Sequence, residues 1–318
     1  WSMKCRICGG KCLLGTFGRD IWAGGDERHE YATCSNCGCV QIVNYPPDLS
    51  PYYAETYYSF NVYDGASGSF KQKLIKFRDS YAVEGRGLIG WALSQKFPTL
   101  QFTSISKPGI AKDSAILDVG CGDGALLRGL YELGFSNLLG IDPYGKSERV
   151  GAGLEFMDCD IYQISNIFDV IIMKGTLEHQ VDQLKLMCHA NKLLPEGGRC
   201  IVRIPVSDSY AYENYGVDWV QFDAPRHLYL HTLKSMEVLA LQSGFDIIRH
   251  WDDSSFLQII GSEQLKKGIY LGDSSSILQD KAASAFSDSD LRTFRSLDRS
   301  VRQQGLGDTR LFELKKTS

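Results

Sequence analysis

The sequence predicts an α/β protein with a doubly wound, mainly parallel sheet, preceded by a small cysteine-rich module. From residue 111 onward, short apolar runs alternate with helical patterns, and turns rich in glycine or proline separate them. Six of the ten cysteines lie within the first 39 residues. Alternating strands and helices imply a parallel sheet that is covered on both faces. We therefore expect three parts: a module at 1–45, a connector with a helical lid at 46–110, and the α/β domain at 111–318.

Composition excludes several classes of protein. With 318 residues and 43% hydrophobic residues, the chain can bury a large core, and its net charge of −4 argues against a dedicated nucleic-acid binder. It has no run of about eighteen apolar residues, so we expect no membrane insertion. No apolar stretch follows the basic start, so we expect no signal peptide and a cytoplasmic protein. Clustered cysteines in that compartment favour metal binding over disulfides.

Strands and helices follow from the spacing of apolar residues. Short apolar runs without helical spacing are typical of buried parallel strands. They predict strands at 115–119, 137–141, 154–157, 168–173, 199–205, 245–251 and 311–314. Helical spacing, with glycine or proline as stops, predicts helices at 70–81, 88–95, 125–133, 181–194 and 233–243, and surface helices within 272–307.

The connector begins with a proline-rich stretch at 46–51, which favours an extended chain. An aromatic run at 52–60 follows and contains Tyr57 and Tyr58. Such a run either packs in a core or closes over a ligand. In the second case we expect Tyr57 to contact a polar acceptor and Tyr58 to act in catalysis.

A glycine-rich turn follows the first predicted strand of the α/β domain. Asp118 precedes Gly120, Gly122 and Gly124, and a predicted helix begins just after them. Glycines allow a sharp turn and close approach to a ligand, and the helix start adds amide donors. The alternatives are an ordinary loop or a dinucleotide fingerprint. An acidic residue before the glycines favours a nucleoside with a cationic or neutral tail over a pyrophosphate.

Two further acidic positions follow the next two strands. Asp142, followed by Pro143, ends the second strand, where a carboxylate can accept both ribose hydroxyls. Asp160 and Ile161 follow the third strand, where they can bind an adenine amine and cover the ring. The alternatives are a turn aspartate for Asp142 and a helix cap for Asp160.

The N-terminal cysteines form two C-x-x-C pairs with a 25-residue gap. Two such pairs can complete a tetrahedral zinc site without an open position, so the zinc is expected to be structural. The expected ligands are Cys5, Cys8, Cys34 and Cys37. A redox role is the alternative, and either Cys12 or Cys39 can replace one ligand.

Histidines supply the candidate bases for proton removal. Glu178 and His179 follow the fourth strand, where loops line the ligand crevice of a parallel sheet. The alternative is that this pair only lines the cofactor pocket. A second cluster holds Asp223, Arg226 and His227: the arginine offers a fork for phosphate or carboxylate, and the histidine is a base or a structural hydrogen-bond partner.

These segments together resemble the class I S-adenosylmethionine-dependent methyltransferases. The similar segments are 118–124 (first motif), 140–143 (acidic end of the second strand), 160–161 (adenine loop), 168–174 (fourth strand) and 193–198 (turn before the fifth). The resemblance implies a seven-stranded Rossmann-like sheet with an antiparallel last strand, which 311–314 can supply. It also implies S-adenosyl-L-methionine as cofactor, with Lys174 among the cofactor-binding residues.

The cysteine-rich head, the Tyr-Tyr-Ser-Phe segment at 57–60 and the Pro-Arg-His-Leu segment at 225–228 narrow the resemblance. Together they resemble zinc-bearing methyltransferases of bacterial sugar and surface-glycan biosynthesis. The deoxysugar C-methyltransferases carry a Glu-His pair where this chain has Arg226 and His227, which favours O-methylation here, although Asp223 can compensate. The alternatives are a sugar C-methyltransferase, a ribosomal RNA methyltransferase, which the net charge disfavours, and a non-catalytic scaffold, which the glycine turn with Asp142 disfavours.

Overall fold

The computed structural model describes residues 3–53, 70–97, 99, 101–106, 110–279 and 285–317. Within these residues the strands are β1 (Cys12–Gly18), β2 (His29–Cys34), β3 (Val40–Ile42), β4 (Ile116–Val119), β5 (Leu138–Ile141), β6 (Glu148–Val150), β7 (Leu154–Met157), β8 (Val170–Lys174), β9 (Arg199–Pro205), β10 (Tyr229–Leu230), β11 (Phe245–Asp252) and β12 (Thr309–Lys316). The helices are α1 (Phe70–Glu84), α2 (Leu88–Lys96), α3 (Thr103–Ser106), α4 (Ala125–Glu132), α5 (Gln183–Lys192), α6 (Tyr210–Tyr215), α7 (Leu233–Gln242), α8 (Leu257–Lys266) and α9 (Asp288–Gln303).

The larger sheet has the strand order β11-β12-β9-β8-β4-β5-β7-β6. Its centre is parallel, and β12 lies antiparallel between β9 and β11, as expected for the final strand. In the described part of the chain the sheet has eight strands, whereas seven were expected. The additional strand is β6, a three-residue antiparallel strand that pairs with β7 at one edge.

The central strands are buried on both faces, which explains why they have continuous apolar sequences. Side chains alternate between two cores: Leu117 and Val119 belong to one, and Ile116 belongs to the other. The second core is completed by α4 and by residues of α1 and α3. The first is completed by α5, α7 and the N-terminal residues.

The N-terminal residues form a four-stranded sheet in the order β1-β2-β3-β10. Its fourth strand, Tyr229–Leu230, comes from the segment between α6 and α7 of the α/β domain and pairs antiparallel with β3. The buried apolar residues of this sheet, such as Tyr31 and Val40, belong to the first core of the larger sheet. The module predicted at 1–45 therefore shares a sheet and a core with the domain that follows it.

The helices predicted at 70–81 and 88–95 are confirmed as α1 and α2. Gly90 lies so close to α1 that a Cβ atom there would meet the Phe77 carbonyl oxygen at 2.3 Å. Phe102, just before α3, packs against Gly129 of α4: a Cβ atom on Gly129 would lie 2.8 Å from the Phe102 ring. These helices thus pack on the outer face of the sheet. None of the helices in the described residues has the length and apolar character that a membrane span requires.

Candidate active site

A cavity of about 340 Å³ lies at the carboxyl ends of β4, β5, β7 and β8. Loops at this edge of a parallel sheet form the ligand crevice of doubly wound folds. The structure brings together here most of the residues predicted to bind a cofactor. Those that line the cavity are Gly120, Gly122, Asp142, Pro143, Asp160, Ile161 and Lys174, joined by His179 from the predicted catalytic set.

The glycine turn depends on left-handed backbone conformations. Gly120 has φ 73° and Gly122 has φ 55°, a region that side chains with a Cβ rarely adopt. A Cβ atom on Gly120 would also meet the Thr176 hydroxyl oxygen at 2.5 Å. That hydroxyl donates a hydrogen bond to the Val119 carbonyl at 2.8 Å, so it fixes the turn from the neighbouring strand. The turn therefore presents its backbone to the cavity at close range.

Asp118 and Gly124 lie behind the cavity wall in the described structure. Burial raises the pKa of Asp118 to about 7, an effect that the nearby Lys174 opposes. Burial likewise lowers the pKa of Lys174, which lines the cavity, to about 8. Gly124 packs on β7, because a Cβ atom there would meet the Phe156 ring at 2.4 Å. Both residues shape the site from behind.

Two carboxylates face the cavity from the ends of β5 and β7. Asp142 accepts hydrogen bonds from the Gly122 amide at 3.0 Å and from the Tyr144 amide at 2.9 Å. A carboxylate offers about four acceptor positions, so capacity remains for ribose hydroxyls. Asp160 accepts from the Tyr162 amide at 3.2 Å as a helix cap, and it also lines the cavity. The cap is therefore confirmed, and adenine binding stays a prediction.

His179 lines the cavity, and the ring of the buried His227 lies next to it, with the ring centroids 4.8 Å apart. His227 is not among the residues that line the cavity in the described structure. The Nδ1 of His179 lies 2.8 Å from the Arg226 carbonyl oxygen, and the Tyr53 hydroxyl lies 3.3 Å from the same nitrogen. The Nδ1 of His227 lies 2.8 Å from the Gln221 carbonyl oxygen. A carbonyl oxygen only accepts, so both Nδ1 atoms carry the proton. In the neutral rings, the lone pair is therefore on Nε2.

Burial controls the ionisation of the groups around these histidines. It lowers the pKa of both His179 and His227, which keeps the rings neutral, and it raises the pKa of Glu178. Burial alone would raise the pKa of Asp223, but Arg226 and His227 beside it bring that pKa below its usual value. The Asp223 carboxylate lies 3.8 Å from the Nε2 of His227.

Arg226 is completely buried, and protein groups surround its guanidinium. Its Nε donates to Asp223 at 2.9 Å, its Nη2 to Asp20 at 2.7 Å, and its Nη1 to the Tyr52 carbonyl at 2.8 Å. Arg226 thus ties the loop of His227 to the N-terminal module and to the connector. It must exchange a partner before it can hold a substrate group. Tyr57 and Tyr58 lie outside the described residues.

The four predicted zinc ligands lie together, with all sulfur atoms within 4.8 Å of one another: Cys5, Cys8, Cys34 and Cys37. Individual sulfur distances are 3.4 Å for Cys8 to Cys34 and 3.7 Å for Cys5 to Cys37. Four thiolates about 2.3 Å from a tetrahedral zinc ion lie about 3.8 Å apart, so the cluster is compatible with zinc. Cys12 and Cys39 are not part of this group in the described structure, and burial raises the pKa of Cys12 to about 12.

Tyr53, from the aromatic run at 52–60, and Tyr144, which the sequence did not predict, also line the cavity. Their rings stack with centroids 6.5 Å apart, across the gap between the connector and the end of β5. Tyr144 follows the Asp142-Pro143 turn directly, which is the signal that identifies it. Among the described residues of 46–110, Tyr53 alone lines the cavity.

The sheet order, the glycine turn after β4 and the acidic ends of β5 and β7 define a class I S-adenosylmethionine-dependent methyltransferase domain. Residues 95–250 match the family model of a methyltransferase domain. The chain is therefore a methyltransferase. No curated protein matches the chain significantly.

Several solved structures are similar to this chain at low identity. The 1,6-didemethyltoxoflavin-N1-methyltransferase of Burkholderia thailandensis is 14% identical, with 81% of this chain and 94% of that chain covered and a TM-score of 0.44. The cyclopropane synthase MmaA2 of Mycobacterium tuberculosis is 16% identical, with 76% and 94% covered and a TM-score of 0.45.

Proposed function

We propose that this methyltransferase acts on a sugar, either nucleotide-linked or within a surface glycan, and methylates a hydroxyl oxygen with a histidine as general base. The observation that carries the proposal is a pair of neutral histidines: His179, which lines the cavity, and the buried His227 next to it. Both Nδ1 atoms are bonded to carbonyls. A neutral imidazole with a free lone pair is suited to take a proton from a hydroxyl group.

The cofactor is proposed to lie along the carboxyl edge of the sheet. The glycine turn would bind its amino-acid end together with Lys174, whose charge suits a carboxylate. Asp142 would accept the ribose hydroxyls, and Asp160 with Ile161 would bind the adenine. This order places the sulfonium between the glycine turn and the two histidines.

Methyl transfer is an in-line displacement in which the sulfur–methyl bond breaks as the oxygen–methyl bond forms. The hydroxyl proton would move to the Nε2 of one histidine. The methyl donor, once bound, would supply the methyl group and retain the electron pair of the bond that breaks. The protein contributes position and proton removal, which together lower the barrier. Glu178 lies beside both rings and would stabilise the imidazolium formed in this step.

The sugar assignment rests on the resemblance in organisation: a cysteine-rich head, an aromatic connector and the loop of His227 in one chain. The structure supports it by the contacts of that loop, since Arg226 joins Asp20 of the head and Tyr52 of the connector. We propose that Tyr57, Tyr58 and Asp223 contact the sugar, and that Arg226 does so after releasing one of its partners.

C-methylation of a sugar is the second candidate, and one observation favours it. The C-methyltransferases carry a Glu-His pair, and here Asp223 supplies a carboxylate 3.8 Å from the Nε2 of His227. A carboxylate–histidine pair is suited to remove the less acidic proton of a carbon next to a carbonyl.

Activity screening with a ¹³C-labelled methyl donor against nucleotide-sugars and glycans tests both candidates. NMR of the product distinguishes a methyl on oxygen from one on carbon, because the chemical shifts differ. Transfer to RNA, or no binding of S-adenosylmethionine in a calorimetric titration, would contradict the proposal.

We also propose that the four-cysteine cluster holds one structural zinc ion. Elemental analysis should find about one zinc per chain. Cys37→Ser should lose that zinc and lower the melting temperature, because the metal stabilises its surrounding turns. Cys188→Ser on α5 is the matched control and should retain the zinc. Equal zinc content in both variants would refute the assignment.

A further inference from the structure

Glu178, His179 and His227 form a second cluster of metal-binding side chains. Their donor atoms lie within 4.8 Å of one another, and the side chains of Glu178 and His227 are each only about 3% exposed. We propose that this cluster binds one divalent transition-metal ion, of the Zn²⁺, Co²⁺ or Ni²⁺ type, at the edge of the cofactor cavity.

The histidines have the hydrogen bonds of metal ligands. In protein metal sites a ligating imidazole donates its other N–H to a carbonyl or a carboxylate, which fixes the ring and its tautomer. Here the Nδ1 of His179 donates to the Arg226 carbonyl, and that of His227 donates to the Gln221 carbonyl, both at 2.8 Å. The two Nε2 lone pairs are therefore oriented before any ion arrives.

Glu178 gives an independent reason to expect a ligand. Its Oε2 is buried and has no hydrogen-bond partner in the described part of the chain. An unpaired buried carboxylate oxygen is costly, and most such atoms in proteins are satisfied by a partner. A cation between Glu178 and the two rings would satisfy it.

The donor set selects the class of ion. Two imidazole nitrogens and one carboxylate oxygen suit zinc and the neighbouring transition metals, and they leave a coordination position open. Two donor atoms each about 2.1 Å from a tetrahedral ion lie about 3.4 Å apart. The donor atoms here lie within 4.8 Å of one another, so small side-chain rotations must bring them closer together. Asp223, 3.8 Å from the Nε2 of His227, adds negative charge that Arg226 partly offsets.

The site has a consequence for the reaction, and this part rests on the proposed function. An ion that occupies both Nε2 lone pairs leaves neither histidine able to accept a proton. Metal binding and general-base catalysis therefore exclude each other, and the ion should inhibit methyl transfer.

Equilibrium dialysis against Co²⁺, with elemental analysis, tests the site on the full chain carrying its zinc. The wild-type protein should bind one cobalt besides the zinc, with ligand-field absorption but no thiolate-to-cobalt charge-transfer band. Loss of an outer-shell partner costs a metal site about 10- to 100-fold in affinity, so Glu178→Gln, His179→Ala and His227→Ala, which remove ligands, should each weaken cobalt binding by at least that much. His250→Ala, an exposed histidine on β11, is the matched control and should bind cobalt as the wild type does.

Retained affinity for S-adenosylmethionine shows that each variant is folded. The proposal is overturned if the folded wild type binds no cobalt beyond the cysteine site, or if the three variants bind it as tightly as His250→Ala. An assay of methyl transfer separately tests whether metal binding and general-base catalysis exclude each other. Full activity at saturating cobalt would overturn that exclusion. Activation by cobalt would support the metal site and refute the histidine general base. The metal site and the proposed function can therefore fail independently.

Discussion

The two sides of the cavity are built in different ways. The cofactor side consists of backbone turns and partly exposed carboxylates at the ends of neighbouring strands, as in Gly120 and Asp142. The opposite side consists of titratable side chains from two loops: the buried Glu178 and His227, and the partly buried His179. Backbone carbonyls hold the two histidine rings. The first side is suited to bind, and the second is suited to react.

This difference separates the expected effects of substitution. Changes on the cofactor side should act on the affinity for S-adenosylmethionine, and changes on the histidine side should act on turnover. The two sides touch through few groups, Tyr53 among them, whose hydroxyl lies 3.3 Å from the Nδ1 of His179 and whose ring stacks on Tyr144.

Replacing the histidines should have the largest effect. His179→Ala and His227→Ala should each lower turnover, with about 10²- to 10⁴-fold expected for the residue that acts as the base. The cofactor dissociation constant should change little, because neither residue is proposed to bind the cofactor. Steady-state kinetics and calorimetry measure the two quantities, and full activity in both variants would remove the general-base proposal.

Asp142→Ala should act on the other side. Loss of even one charged hydrogen bond to the ribose, worth about 1.5–3 kcal/mol, should weaken cofactor binding by about 10- to 150-fold. The exposed Asp158 near the same edge is the control, and Asp158→Ala should leave the dissociation constant unchanged. An unchanged constant for Asp142→Ala would refute the ribose role.

Tyr31→Phe should have a smaller effect that reaches only the histidine side. The Tyr31 hydroxyl donates to the His227 carbonyl at 2.8 Å, so its loss leaves a buried acceptor unpaired and costs about 1–3 kcal/mol of stability. Turnover should fall while cofactor affinity is kept. Tyr210→Phe in α6 is the control. If Tyr31→Phe lowered cofactor affinity as much as turnover, the two sides of the cavity would not be separable.

The pH profile should show the smallest effect. Burial lowers the pKa of both histidines, so the base stays unprotonated below the ordinary histidine value of about 6.5. Activity should therefore fall on the acid side with a midpoint below pH 6.5. Folding stability should likewise fall as pH drops below about 6.5. The two histidines have a lower pKa in the folded state than in the unfolded state, so the unfolded state then binds more protons. An acid midpoint above pH 6.5 would contradict this.

The sequence predicted the cofactor side because its signals are local. The apolar run of β4, the glycines after it and the aspartate at the end of β5 each lie within one strand and its turn. The two C-x-x-C pairs are local in the same sense, and their cysteines do meet.

The remaining features depend on contacts between distant segments, which no short pattern encodes. Arg226 was interpreted as a substrate fork because Asp20 and Tyr52, two of its partners, lie far away in the chain. The strands β1–β3 went unpredicted because they are short and do not alternate apolar and polar residues regularly: β1, for example, exposes Leu13 and Leu14. The helix α8 was missed because polar residues such as Gln258 and Ser262 are buried in it, which conceals the usual amphipathic pattern.

The two-residue strand β10 has a consequence for biosynthesis. On the ribosome, residues 12–42 emerge long before Tyr229–Leu230, so β3 has no partner on one side until most of the chain has been made. Unpaired strand edges promote aggregation. A head produced by itself would keep that edge permanently open, so it is a poor candidate for transfer onto another protein as an independent unit.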